Sequence, residues 1–189
     1  LIAFDQMDNS QLAEEHVLPL LDYPDPSVQA TASRIFASHP AWAKAAVTHL
    51  RQNFVGSKLT EAELTGLKEI MRAFSLNSQV QDLMAQAFLD AKTAPERQRA
   101  VIEVIRDSDL PKFPAKWMNP VRRALVSTNA TMREFAFGII ESRNLLGFDD
   151  HLHNMAELDA RDDLRYRAYA VIARQDTLTD LQIEALVED

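Results

Sequence analysis

The sequence predicts an all-α fold, a right-handed superhelical stack of about five helix pairs. Three observations predict it. Glycine is scarce, with 4 in 189 residues, while Ala, Leu, Glu, Arg and Gln abound; these side chains lose little rotamer freedom in a helix. No alternating apolar–polar stretch is long enough to compete as a strand. Finally, an apolar template at positions zero, +4, +7 and +8 recurs at intervals of 32 to 35 residues. At roughly 100° per residue, those four positions share one stripe of a helix.

Taken in order, the elements alternate between a first helix and a second helix that carries the template. "SQLAEEHVLPLLDY" (10–23) is a first helix, which Pro19 should kink by removing a backbone hydrogen bond. Its second helix, near 26–38, carries Val28, Ala32, Ile35 and Phe36. Asp25 can accept from its free N–H groups, and Pro26 sits in the first turn, where a missing N–H costs nothing. "PAWAKAAVTHLRQNF" (40–54) precedes the helix near 61–74, with Glu63, Leu67, Ile70 and Met71, opened by a Thr60–Glu63 capping box. "NSQVQDLMAQAFLDA" (77–91) precedes the helix near 94–107, with Arg97, Val101, Val104 and Ile105. There Thr93 and Glu96 have capping-box spacing and Pro95 lies in the first turn.

"PAKWMNPVRRALVS" (114–127), with a second kinking proline at Pro120, leads to the helix near 130–143 behind Asn129. That helix carries Met132, Ala136, Ile139 and Ile140. "DDHLHNMAELDA" (149–160) leads to the helix near 162–174, which starts at Asp162 and carries Leu164, Ala168, Val171 and Ile172. "TLTDLQIEALVED" (177–189) opens a sixth unit and resembles half a repeat. Only Glu63 and Arg97 break the apolar template. The expectation is one repeat domain over residues 1–189, excised from a longer chain, since it opens on Leu1 rather than Met.

The turn residue, the aliphatic three positions later, the small residue at +4 and the aliphatic pair at +7/+8 resemble the second helix of HEAT repeats. Arg133 and Arg165 stand at +1, where such repeats often carry Arg, while Gln29, Leu64 and Gln98 depart from it. Tetratricopeptide repeats share the period, but their first-helix pattern of Trp, Leu-Gly and Tyr is absent. The HEAT resemblance covers nearly the whole chain. A weaker one rests on "ASRIFASHPAWAKAAVTHLRQNF", "LTEAELTGLKEIM" and "SLNSQVQDLMAQAF". These are similar to the HEAT segment of large bacterial membrane-bound dehydrogenases, between a β-propeller and a c-type haem domain. That resemblance implies a spacer in an exported or periplasmic redox protein; without it, the chain is expected in the cytoplasm.

The residues themselves favour no catalysis. Zero cysteines exclude disulfides, thiolate metal sites, cysteine nucleophiles and CxxCH haem attachment within this chain. Neither a Ser-His-Asp arrangement, a glycine-rich phosphate loop nor an HExxH element occurs. The "DDHLH" at 149–153 invites a metal, but His151 and His153 would diverge by roughly 200° on a helix. His16, His39 and His49 are isolated, and are expected at the surface or in packing. No cofactor is expected. A net charge of −8 argues against a nucleic-acid partner, and no apolar run approaches the roughly 18 residues that span a bilayer.

Phase supplies the candidate site. In a HEAT stack the second helices line the concave surface, and positions +2, +5, +6 and +9 point away from the stripe. Those positions hold Lys68, Arg72, Arg99 and Arg106 among Glu69 and Glu103, then Phe137, Tyr166 and Tyr169, with Arg133 and Arg165 at the edge. Aromatics beside Arg are the composition of interface anchors. The expected function is a non-catalytic scaffold that binds a protein or a neighbouring domain through Arg72, Arg99, Arg106, Arg133, Phe137, Arg165, Tyr166 and Tyr169. Two competing readings remain: these aromatics pack between adjacent helices, or the face binds DNA as in HEAT-like DNA glycosylases.

Overall fold

Polar side chains start the helices at the turns. Asp25 accepts hydrogen bonds from the N–H groups of Ser27 (2.8 Å) and Val28 (3.3 Å). Thr60 and Glu63 form a reciprocal capping box, Thr60 N–H to Glu63 Oε2 at 2.6 Å and Glu63 N–H to Thr60 Oγ1 at 3.2 Å. Asn77 and Asn129 cap in the manner of Asp25. Each satisfies donors that a helix start otherwise leaves open.

The computed structural model describes residues 12–55, 58–158 and 162–175. Among these residues there are ten α-helices and no strand. They are α1 (Glu14–Val17), α2 (Pro26–Ala37), α3 (Ala43–Val55), α4 (Glu61–Ala73), α5 (Ser78–Leu89), α6 (Pro95–Asp107), α7 (Met118–Leu125), α8 (Ala130–Arg143), α9 (Asp149–Leu158) and α10 (Asp162–Arg174). The half repeat expected at 177–189 lies outside the described residues.

Three local expectations are corrected. Pro19 ends α1 instead of kinking a long helix, and residues Leu18–Leu20 continue as a 3-10 turn. Pro120 falls in the first turn of α7, where no intrahelical donor is required, because Ala115–Trp117 is a separate 3-10 turn. At α6 the N-cap is Ala94, not Thr93, and no side chain caps it. The cause is an Asx turn just upstream, in which Lys92 N–H donates to Asp90 Oδ1 at 2.9 Å. Thr93 N–H is then taken by Asp90 O, and the Thr93 side chain is carried inside.

The chain groups into two compact units, dividing between Pro120 and Val121. In the first, α2 packs on α4 and α4 on α6, while α3 packs on α5. Each helix thus meets its partner one helix pair away. Template residues Ala32, Ile35, Phe36, Leu67, Ile70, Met71, Val101, Val104 and Ile105 are all buried. Arg97, which breaks the template, is buried with them. Phe36 joins the pairs, with ring centroids 5.4 Å from Trp42 and 5.8 Å from Phe74. Gly66 lets α4 approach α2 closely, since a Cβ there would lie 2.6 Å from Ser33 Oγ. In the second unit α9 packs along α10, and Ala136, Ile139, Ile140, Leu164, Ala168, Val171 and Ile172 are buried. Asn144 closes α8 in the left-handed region (φ 47°), a conformation Asn tolerates better than most residues.

One contact recurs at the start of the second helices. At +1, Gln29 Nε2 donates to Leu21 O (2.7 Å) and Gln98 Nε2 to Phe88 O (3.2 Å) and Asp90 O (3.1 Å). Arg133 Nη1 donates to Ser127 O (2.8 Å) and Arg165 Nε to Ala156 O (3.3 Å). All four reach back to carbonyls at or near the end of the preceding helical segment, which lack intrahelical donors there. Gln29 and Gln98, departures by residue type, therefore serve as donors just as the two arginines do. Leu64 has no such group.

Candidate functional site

The outward positions of α4 and α6 form a ladder of ion pairs. Lys68 Nζ lies 3.4 Å from Glu103 Oε2 and Arg72 Nη2 lies 3.0 Å from Asp107 Oδ2, each joining residues 35 apart. Arg99 Nε binds Glu103 at 2.9 Å and Arg106 Nε binds Asp107 at 2.7 Å. Chiefly the hydrogen bond from Arg106, with Arg72 adding to it, holds the Asp107 carboxyl below its ordinary pKa. Arg72, Arg99 and Arg106 are thus exposed, as the phase argument expects, but each is bound to a carboxylate of its own chain.

Five candidates fall in the second unit, and the structure divides them. Tyr166 is exposed at 46%. Arg133 and Arg165 are half-buried and serve the backbone clasp described above. Phe137 (0% exposed) and Tyr169 (6%) are not outward at all. The four-position stripe counts only the face turned to the core, whereas helices of this unit bury a wider arc. Arg167 of α10 lays its guanidinium 4.9 Å from the Phe137 ring centroid and ties itself to Glu141 of α8. Phe137 is therefore sealed by the neighbouring helix, and Tyr169 is buried on α10, which packs along α9.

His151 and His153 lie on helix α9, so their side chains diverge as the spacing implies. Among the described residues no group of three or more His, Cys, Asp or Glu is placed to hold a metal ion. Also among them, no helix is long and apolar enough to cross a membrane. His49 is buried on α3 with Asn53 Nδ2 3.2 Å from its Nε2. Burial lowers its pKa, and the Asp22 charge partly opposes that.

A groove of about 630 Å³ lies between the N-terminal parts of α2 and α4. Tyr23, Pro24 and Pro26 give it apolar surface, and Asp22, Glu61, Glu63 and Glu69 supply carboxylates. Phase reasoning along single helices misses it, because its walls come from the turn at 22–24, the start of α2 and the first three turns of α4. The available signals were Glu69 in the outward stripe and the acidic first turn of α4, which reads by itself as helix capping. No family model matches the chain, and neither a curated protein nor a solved structure matches it.

Proposed function

We propose that the chain is a non-catalytic interaction module built from HEAT-like helix pairs stacked as a right-handed superhelix, which holds a protein partner or another domain of the same polypeptide. The recurring +1 clasp carries this reading. Four second helices open with a donor that closes the preceding helical segment, using two different residue types. A function shared across changed residues at a fixed template position is what a repeat requires. Repeat stacks present extended surfaces assembled from equivalent positions.

The charge ladder supports protein rather than nucleic acid as the occupant, because Lys68, Arg72, Arg99 and Arg106 are each already engaged by Glu103 or Asp107. Phosphate binding needs cations whose counterions can be released. Photo-reactive residues placed at Arg99 and at Tyr166, in cells making the full-length gene product, should trap a defined protein or another domain of the same chain. Trapping of nucleic acid, or of nothing above background, would count against the module. The redox-spacer form of the proposal rests on residue likeness alone. A gene lacking an upstream β-propeller and a downstream CxxCH would remove it.

A further inference from the structure

We infer that the groove between α2 and α4 is a docking site for a cationic, extended segment of a protein partner, rich in Arg or Lys. This rests on the interaction-module reading and names the chemistry of its partner. Its volume, about 630 Å³, lies within the range of ligand-holding clefts, roughly 300–1,000 Å³. Tyr23 is 47% exposed at its wall, beside Pro24 and Pro26, and offers a ring face to an alkyl stem or a guanidinium.

Charge complementarity selects the occupant. Lys, Arg and His are absent from the lining, while among the described residues Asp22, Glu61 and Glu69 form no ion pair. Arg34, one turn beyond Ala30 on α2, makes no ion pair with them. Elsewhere in the same unit the second-helix carboxylates are matched, Glu103 by Lys68 and Arg99, Asp107 by Arg72 and Arg106. Between α4 and α6 each of these two carboxylates thus meets two cations, whereas between α2 and α4 the carboxylates of Asp22, Glu61 and Glu69 form no ion pair among the described residues. Glu63 is a different case, because its carboxylate closes the α4 capping box. Apolar surface flanked by uncompensated carboxylates fits side chains that combine an aliphatic stem with a positive head.

The test uses the 189-residue chain and a fluorescein-labelled octapeptide of alternating arginine and alanine, followed by fluorescence anisotropy at low and physiological salt. A matched peptide with glutamate for arginine is the control. The wild type should bind the arginine peptide alone, more weakly as salt rises. Glu61→Gln/Glu69→Gln should lose about tenfold in affinity, and Tyr23→Ala should lose affinity separately. Asp150→Asn/Glu157→Gln, an equal charge change outside the groove, should bind as wild type, with circular dichroism confirming that every variant is folded. Equal losses from both double variants would overturn the groove by showing non-specific attraction. Binding unchanged in the groove variants would overturn it while leaving the interaction module standing. Absence of binding to either peptide would overturn the cationic occupant, and the photo-crosslinking experiment then judges the module independently.

Discussion

Gln29 is buried with its amide donated to the carbonyl of Leu21 at 2.7 Å. Replacing it with Met keeps the bulk and removes the donor, so the carbonyl loses its partner inside the protein. The expected loss is about 1–3 kcal/mol in chemical denaturation, and an unchanged midpoint would show that this clasp is ornamental. His49 gives a second residue-scale prediction. Its folded-state pKa is depressed, chiefly by burial, so the unfolded chain takes up a proton first as pH falls. Stability should therefore be intact above the unfolded imidazole value of about 6.5 and decline below it. His49→Gln should flatten that part of the pH profile between pH 7.5 and 5.5; an identical slope would assign the decline to other groups.

Neighbouring helices explain why some of the architecture was legible and some was not. Asp25, Thr60 and Asn129 act as caps because their oxygens satisfy donors only two or three residues away, a local event that sequence spacing records. Thr93 fails because Asp90 turns the chain first, and one competing Asx turn suffices to shift the cap. Phe137 fails for a longer-range reason, since its cover is Arg167, 30 residues on, at a position the apolar stripe does not weigh. The groove was missed in the same way. Phe137→Ala should then cost about 3–5 kcal/mol, the range for emptying a buried aromatic site; near-neutral stability would restore it as a surface anchor. The ladder between α4 and α6 makes a smaller prediction. Asp107→Asn should lose at most about 1 kcal/mol at pH 7, because solvent screens the pair. The Asp107 carboxyl is held below its ordinary value, so the difference from wild type should close as pH falls below about 4 and the wild-type carboxylate takes up its proton. A gap that persists at low pH would mean the charge is not its source.

At the scale of the whole molecule, a net charge of −8 and intramolecular pairing of the outward cations leave little to attract phosphate. The packing of helix on neighbouring helix has a sharper consequence for how stability spreads. Within residues 12–120 the second helices α2, α4 and α6 meet in sequence, and α3 meets α5, so perturbation passes through each pair to reach the next. If these helix pairs form the proposed repeat stack, stability is a sum of repeat terms and nearest-neighbour interfaces. Phe36 lies at one such interface, against Trp42 and Phe74. Phe36→Ala should therefore speed amide hydrogen exchange most in α2, α3 and α4, less in α5 and least in α6, in native-state exchange read by mass spectrometry. Local openings of graded free energy are the normal behaviour of units coupled only to their neighbours. A uniform rise from α2 through α6 would instead reveal one indivisible core, and the stacked-repeat reading would fall with it.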